Sequence, residues 1–201
     1  MIKAIVFDIG DVIIYDNLDE LYKAISGEMK IDLQKFRDFR RGLALPYSEG
    51  KLSTEEYIKL IAEEFEIEDV DAFKKLWLEK RDELTKPNRE MFRLLDELKK
   101  NYVVATLTNI TPLSDVARKK MGVYRPFSLI IKSYETGMRK PQEEYFELLL
   151  KKLKLSPEEI LFVDDKERNL EPAKKLGMKT VLFADNKQFV EELKKQGIKI
   201  E

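Results

Sequence analysis

The sequence predicts an α/β fold: a doubly wound (Rossmann-like) parallel-sheet core with an inserted all-α cap domain. Two observations indicate this fold. Short apolar runs of the kind that form buried strands alternate with helical patterns in the second half of the 201-residue chain. One further apolar run stands at the N-terminus, and the segment between it and the other runs contains only helical patterns.

The core elements follow from these apolar runs and from the residues that end them. The predicted strands are residues 2–7, 102–107, 128–131, 160–163 and 179–183. One predicted helix follows the N-cap Thr111, has Pro112 in its first turn and ends at Gly122. Three further core helices are predicted. One begins at Pro141, and the other two cover residues 169–176 and 185–196.

The segment of residues 16–86 interrupts the alternation of strands and helices. Its apolar residues recur at helical spacing, and it contains no strand pattern. The predicted helices are residues 18–29, 32–43, 53–65 and 70–84. Ser53 and Glu56 form a capping box at the start of the third helix. We therefore expect a core domain of residues 1–15 plus 87–201 and a helical cap domain of residues 16–86.

Composition excludes several classes of protein and of partner. The chain has 37 Lys and Arg against 38 Asp and Glu, without the basic excess that nucleic-acid-binding proteins usually show. No segment approaches the roughly 20 apolar residues that a membrane span requires. The N-terminal apolar run is too short for a signal peptide. We expect a cytoplasmic protein that binds neither nucleic acid nor membrane, and no pattern indicates its oligomeric state.

The chain has no cysteine and no histidine. The absence of cysteine excludes disulfides, thiol catalysis and zinc–thiolate sites. The absence of histidine removes the commonest general base and the commonest metal ligand. Any chemistry must therefore come from oxygen and amine groups, with a hard metal ion such as Mg²⁺ as the expected cofactor.

Polar residues follow four of the predicted strands, where parallel sheets place their ligand crevice. These residues are Asp8, Thr108, Asn109, Arg139, Lys140, Asp164 and Asp165. Carboxylates that converge at one edge repel one another unless a cation lies between them, and oxygen ligands favour magnesium. A carboxylate beside a metal ion and a lysine is able to attack phosphorus and form an aspartyl-phosphate.

Four segments carry a family resemblance. They are Phe7-Asp-Ile-Gly-Asp-Val12, Leu107-Thr-Asn109, Gly137-Met-Arg-Lys-Pro141 and Phe162-Val-Asp-Asp-Lys-Glu-Arg-Asn169. In this order, and at the ends of strands, they resemble the four motifs of the haloacid dehalogenase (HAD) superfamily, in the branch with a helical cap after the first strand. The resemblance covers most of residues 1–15 and 100–185, whereas the cap is similar only in its position and helical character.

The resemblance implies a metal site for Mg²⁺. Asp8 would be a ligand, the carbonyl of Gly10 a second ligand, and Asp165 a direct ligand. Asp164 would reach the metal through water or would orient the lysine of the third motif.

The resemblance also implies a magnesium-dependent phosphohydrolase that cleaves a small phosphorylated metabolite. Asp8 would be the nucleophile. Thr108 and Asn109 would hold phosphate oxygens, and Lys140 would neutralise Asp8 and the transferring phosphoryl group.

One position departs from the family pattern. Most phosphatases of the superfamily carry a second Asp two residues after the nucleophile, which protonates the leaving group. Here that position is Gly10, and the nearest acid is Asp11. General acid catalysis is worth about 10²–10⁴-fold, so we expect hydrolysis to favour good leaving groups. Some relatives with Gly at this position resemble phosphatases that act on sugar 1-phosphates, and the segment Gly137-Met-Arg-Lys-Pro141 is similar to theirs.

Two alternatives stay open at this point. A metal-free 2-haloacid dehalogenase uses a similar Asp to attack carbon and also lacks the second acid, but its fourth motif does not resemble a paired Asp164-Asp165. A catalytically inactive relative that binds a phosphorylated ligand or a protein partner would explain Gly10, but not the intact Asp8 and Lys140. Phosphoryl transfer to a second hydroxyl is also compatible with the motifs.

The cap carries no motif that identifies the substrate. Arg37, Arg40, Arg41 and Tyr47 are candidate substrate contacts, and the alternative is that they are surface residues of amphipathic helices. Asn169 at the end of the fourth motif is interpreted most simply as a helix N-cap.

Overall fold

The computed structural model describes residues 1–200, which form seven strands, ten α-helices and a 3₁₀ helix at Pro157–Glu159. The strands are β1 (Ala4–Phe7), β2 (Ile14–Asp16), β3 (Thr85–Pro87), β4 (Val103–Thr108), β5 (Leu129–Lys132), β6 (Ile160–Asp164) and β7 (Lys179–Leu182). The helices are α1 (Leu18–Met29), α2 (Leu33–Ser48), α3 (Thr54–Glu64), α4 (Val70–Leu84), α5 (Arg89–Leu98), α6 (Pro112–Lys120), α7 (Ser133–Thr136), α8 (Glu143–Leu153), α9 (Glu167–Lys175) and α10 (Asn186–Lys195).

Five strands form one parallel sheet in the order β5-β4-β1-β6-β7. β1 is central, with Phe7 opposite Thr106 of β4 and Val163 of β6. The chain winds outwards from β1 in both directions, which confirms the predicted doubly wound core. The carboxyl end of β1 therefore lies between the carboxyl ends of β4 and β6, where such sheets place their ligand crevice.

Alternate residues of β1 enter two separate apolar cores. Ile5 and Phe7 pack in a cluster with side chains from α5 and α10, whereas Ala4 and Val6 pack with side chains from α8 and α9. All four side chains are completely buried. Helices therefore cover both faces of the sheet, and this explains why its central strand is apolar throughout rather than alternating.

The helices α1–α4 form a block with an apolar core of its own. Phe36, Tyr57 and Trp77 lie in this core, and the ring of Tyr47 stacks on that of Tyr57 at a centroid distance of 4.0 Å. Leu113 of α6 belongs to the same cluster, so the block packs directly on the α/β core. Among residues 1–200, no helix has both the length and the apolar content to cross a bilayer.

A two-stranded ribbon joins the helical block to the core. β2 and β3 pair antiparallel, with Ile14 opposite Pro87 and Asp16 opposite Thr85. The prediction that residues 16–86 contain no strand was therefore wrong at both ends of the segment. Strands of three residues are too short to show an alternating pattern, so only the pairing of the two distant segments reveals them.

Three helix boundaries also differ from the predictions. α2 continues through Pro46 to Ser48, and its last two residues, Tyr47 and Ser48, are buried. The helix expected at Pro141 begins at Glu143, because residues 139–142 form a turn closed by a bond from the Gln142 backbone N to the Arg139 carbonyl. α9 begins before Asn169, so Asn169 is not an N-cap.

Candidate active site

Three carboxylates meet at the carboxyl edge of the central strands. Asp8 follows β1, Asp164 ends β6, and Asp165 is the next residue. One oxygen from each carboxylate lies within 4.8 Å of the others. Gly10 lies on the same loop as Asp8 and forms an isolated bridge with Ile14. The parallel sheet thus brings together the carboxylates that the sequence placed at two different strand ends.

Lys140 lies between two of these carboxylates. Its ammonium is 2.9 Å from Asp8 Oδ1 and 2.6 Å from Asp164 Oδ2, and its side chain is 1% exposed. Asp164 Oδ1 accepts hydrogen bonds from the backbone N of Lys166 and from Nδ2 of Asn169, at 2.9 and 2.8 Å. Both oxygens of Asp164 are therefore engaged, and Asn169 orients this carboxylate instead of capping a helix.

The electrostatic environment favours an ionised Asp8. Burial raises the pKa of Asp8, but the ammonium of Lys140 and the guanidinium of Arg118 together lower it by a larger amount. The pKa therefore lies below the usual value for Asp. Burial also raises the pKa of Asp164, against the attraction of Lys140. Because one buried ammonium faces two carboxylates, the site keeps an excess of negative charge.

Thr108 and Asn109 end β4 beside Asp8, but their side chains are engaged with protein groups. The Asn109 amide donates to the Lys140 carbonyl and accepts from the Lys140 backbone N, both at 2.9 Å. The Thr108 hydroxyl is buried and accepts from Arg118 Nη1 at 3.1 Å. Direct contact of either residue with phosphate stays a prediction, and the structure adds a second role for Asn109, which is to hold the backbone of Lys140.

Arg118 is a site residue that the sequence did not reveal. It is buried in α6, and its Nη2 is 3.2 Å from Asp16 Oδ2. A Cβ atom placed on Gly10 would lie 3.6 Å from the same Nη2. The guanidinium thus lies next to the position from which the missing acid of the family would project. In the sequence, Arg118 begins a basic run that reads as an ordinary exposed helix end.

Asp11, the nearest acid to Gly10, lies in a tight turn. Its φ is 57°, its side chain is largely exposed, and its Oδ1 accepts from the backbone N of Asp16 at 3.3 Å. The partial burial of its carboxyl raises the pKa of Asp11 above the usual value, although this hydrogen bond acts in the opposite direction. Asp11 is thus hydrogen-bonded within its own turn.

A cavity of about 210 Å³ lies between the helical block and the core. Arg40, Tyr47 and Tyr57 line it from the block, and Asn109 and Arg118 line it from the core. The Tyr47 hydroxyl accepts from the Leu113 backbone N at 3.1 Å, which ties the two parts together.

The other two candidates from the cap lie elsewhere. Arg37 pairs with Asp19 at 2.6 Å, and Arg41 pairs with Asp38 at 3.1 Å on the outer surface. Only Arg40 and Tyr47 of the four predicted cap candidates reach the cavity between the helical block and the core.

Known proteins are similar to this chain in sequence and in fold. The model of the haloacid dehalogenase-like hydrolase family matches residues 2–177. The chain is 30% identical over 193 residues to D-ribitol-5-phosphate phosphatase of Bacteroides thetaiotaomicron, a match that covers 90% of this chain and 91% of that protein. This chain also superposes on a crystal structure of a HAD family enzyme from the same organism, in complex with magnesium and inorganic phosphate. The TM-score is 0.76 at 22% identity, and the match covers 94% of this chain and 99% of that chain.

A second group of relatives is much longer. Bifunctional epoxide hydrolase 2 of Rattus norvegicus is 32% identical over 114 residues, which are 54% of this chain and 21% of that protein. The chain thus spans about a fifth of the length of these mammalian relatives. Together, the matching family model and the full-length bacterial relative show that this chain belongs to the haloacid dehalogenase-like hydrolase family.

Proposed function

We propose that this chain is a magnesium-dependent phosphohydrolase that cleaves a small phosphorylated metabolite through an aspartyl-phosphate on Asp8. The observation that carries the proposal is the contact of 2.9 Å between the buried, ionised Asp8 and the ammonium of Lys140, with Asp164 and Asp165 beside them. A nucleophile, a cation for the phosphoryl oxygens and an acidic cluster are the parts that phosphoryl transfer to a carboxylate requires.

The proposed reaction has two steps. An oxygen of Asp8 attacks phosphorus, the bond from phosphorus to the substrate oxygen breaks, and the alkoxide leaves with the electron pair of that bond. The alkoxide takes a proton from solvent. Water then attacks the phosphorus of the aspartyl-phosphate, the bond from phosphorus to the Asp8 oxygen breaks, and water loses a proton to solvent, so that phosphate is released and the Asp8 carboxylate is regenerated. Lys140 offsets the negative charge of Asp8 and of the incoming phosphate, so that the two anions are able to approach.

The residues fit a magnesium ion. The three carboxylates outnumber the ammonium groups that pair with them, those of buried Lys140 and exposed Lys166, and oxygen donors are the ligands that Mg²⁺ prefers. Asp8, the Gly10 carbonyl and Asp165 would hold the ion. Asp164, whose oxygens both accept hydrogen bonds, would act through water or through Lys140. When bound, the ion supplies charge neutralisation to the phosphoryl group.

We also propose that residues 16–86 act as a cap domain over the core domain of residues 1–15 plus 87–201. The ribbon of β2 and β3, where the chain leaves and re-enters the core, supports these boundaries. The cavity between cap and core supports a small substrate, and the bacterial relative named as a sugar-alcohol phosphate phosphatase supports a phosphorylated metabolite.

The two alternatives have less support. A dehalogenase that works without metal would leave three clustered carboxylates with Lys140 shared by Asp8 and Asp164 and with only the exposed Lys166 at Asp165. An inactive binding relative would have no need of an ionised Asp8 beside a buried lysine.

Turnover of p-nitrophenyl phosphate and of a panel of sugar and organic-acid phosphates tests the proposal. Wild type, Asp8→Asn and the surface control Asp71→Asn are compared with magnesium and with EDTA. We expect magnesium-dependent phosphate release in wild type and in the control, and none in a folded Asp8→Asn. If wild type releases no phosphate from any substrate, the proposal is wrong, and a halide-release assay with 2-chloropropionate then distinguishes the dehalogenase from the binding relative.

A further inference from the structure

The cavity between cap and core is strongly cationic. Its wall carries the guanidinium groups of Arg40, Arg81, Arg118 and Arg139 and a single carboxylate, that of Asp16. Asp16 Oδ2 accepts from Arg81 and from Arg118, at 2.6 and 3.2 Å. One carboxylate is therefore shared by two guanidinium groups. The four arginines of the cavity wall outnumber its one carboxylate, so the wall carries an excess of positive charge.

Arg40 and Arg139 add to this excess without an internal counter-charge. In the described part of the chain, neither side chain forms an ion pair with a carboxylate. The guanidinium carbon of Arg40 lies 4.2 Å from the centre of the Tyr22 ring, which holds the charge at the cavity wall by a cation–π contact. Positive charge that is partly desolvated and unpaired is costly unless an anion binds there.

Three hydrogen-bond donors at the same wall also lack partners. Nε of Arg40, Nε of Arg118 and the hydroxyl of Tyr57 are buried and make no hydrogen bond within residues 1–200. Tyr57 is completely buried and Arg118 almost so, and both line the cavity. Buried polar groups without partners are rare in folded proteins, and an acceptor brought by a ligand would satisfy these donors.

The cavity and the proposed nucleophile share a neighbour, Arg118, which lines the cavity and attracts the Asp8 carboxylate. Arg118 Nη2 lies 3.6 Å from a Cβ placed on Gly10, two residues after Asp8, and Asn109 lines the same wall. A leaving group that points from Asp8 past Arg118 would enter this space of about 210 Å³, which accommodates a small organic group.

We infer that the substrate carries a second anionic group, a carboxylate or another phosphate, which binds between Arg40, Arg118 and the Tyr57 hydroxyl while Asp8 attacks the phosphate ester. The inference rests on the proposed phosphohydrolase function. Guanidinium groups pair with the oxygens of both anions in a planar, two-pronged geometry, and the tyrosine hydroxyl donates a further hydrogen bond.

Three phosphate esters with the same three-carbon chain test the inference. They are 3-phosphooxypropionate, 1,3-propanediol bisphosphate and 3-hydroxypropyl phosphate, which differ only in a terminal carboxylate, phosphate or hydroxyl. We expect wild type to show a kcat/KM at least about 10-fold higher for one of the two anionic probes than for the hydroxyl probe. A charge-assisted hydrogen bond stabilises binding enough to give a factor of this size. Whichever anionic probe is preferred identifies the second group.

Two variants locate the effect, and a third is the control. Arg40→Gln and Tyr57→Phe should lower the ratio of anionic to hydroxyl kcat/KM towards one. Tyr57→Phe keeps the ring and removes only an unpartnered hydroxyl, so it should stay folded. Arg41→Gln removes a charge from the outer surface one residue away and should keep the wild-type ratio.

Binding measured without turnover separates this inference from the proposed function. Calorimetry with Asp8→Asn and magnesium should give a tighter Kd for the anionic probe than for the hydroxyl probe. Equal kcat/KM and equal Kd for all three probes, with p-nitrophenyl phosphate still hydrolysed, would overturn this inference alone. If no ester is hydrolysed, the proposed function is wrong, and the calorimetric comparison still decides whether the cavity binds a second anion.

Discussion

The side-chain amide of Asn109 pairs with both backbone polar groups of Lys140, accepting from its N and donating to its O at 2.9 Å each. This double hydrogen bond ties the loop before α8 to the end of β4. Because the backbone of Lys140 is held in this way, its ammonium lies 2.9 Å from Asp8 at the centre of the site.

Loss of the Asn109 amide should misplace Lys140. We expect Asn109→Ala to lower kcat about 10- to 100-fold, the usual cost of removing a residue that orients a catalytic one. KM should change much less if the amide only positions Lys140, and should rise in parallel if Asn109 also binds phosphate. Asn101→Ala, in an exposed loop, is the control. Unchanged kinetics in Asn109→Ala would contradict both roles.

Removal of the Lys140 charge should affect both activity and stability. Lys140→Met keeps the length of the side chain but leaves Asp8 and Asp164 facing each other without a cation. We expect kcat to fall by at least about 10²-fold. We also expect the free energy of unfolding to fall by about 3–5 kcal/mol without magnesium, as when a buried ion pair loses one partner.

Steady-state kinetics and urea denaturation measure these two effects. The control is Lys174→Met, which removes a surface charge and should change stability by less than about 0.5 kcal/mol. A Lys140→Met variant with normal turnover would show that the ammonium has no part in the reaction.

The missing acid at Gly10 should make the rate depend on the leaving group. Arg118, the cation next to this position, carries a guanidinium, a group that stabilises negative charge but is not a general acid. We expect kcat/KM for a series of aryl phosphates to fall steeply as the leaving-group pKa rises. Asp11→Asn should keep that slope. A shallow slope in wild type that becomes steep in Asp11→Asn would instead identify Asp11 as the proton donor.

A buried cluster around Asp115 should make stability sensitive to acid. The carboxylate accepts from the hydroxyls of Tyr124 and Tyr134 at 2.6 and 2.8 Å and lies 3.0 Å from the ammonium of Lys132. Burial raises the pKa of Asp115, but these hydrogen bonds and the nearby Lys119 lower it by a larger amount. The pKa of Asp115 therefore lies below the usual value for Asp. Its contribution to stability is therefore present above the unfolded-state pKa and is lost as the pH falls through the folded-state pKa.

Thermal denaturation between pH 2 and pH 7 checks this sign. We expect Asp115→Asn to lower the free energy of unfolding by about 3 kcal/mol at neutral pH, because Lys132 keeps a buried charge without its partner. The difference from wild type should begin to shrink below about pH 4, where the carboxyl of the unfolded chain becomes protonated, and should continue to shrink as the pH falls through the lower folded-state pKa. The exposed Asp71→Asn serves as control. A difference that stays constant with pH would show that Asp115 contributes by packing alone.

Much of the core was predictable because its signals are local. Apolar runs predicted the five strands of the sheet, and glycines at positive φ, such as Gly122 and Gly177, end helices where the pattern placed them. The capping box of Ser53 and Glu56 forms as predicted. The same reasoning missed the ribbon of β2 and β3, since three-residue strands lack a readable period.

The sequence by itself determined which side chains stand at the strand ends. Asp8, Thr108 and Asp164 had to meet, because parallel pairing of β1 with β4 and β6 brings their carboxyl ends to one edge. Tertiary structure decided which hydrogen bonds and ion pairs those side chains form and which other residues lie beside them. The hydrogen bonds of Asn109 to Lys140 and the burial of Arg118 beside Gly10 depend on contacts between segments distant in the chain, and such contacts leave no periodic trace in a single sequence.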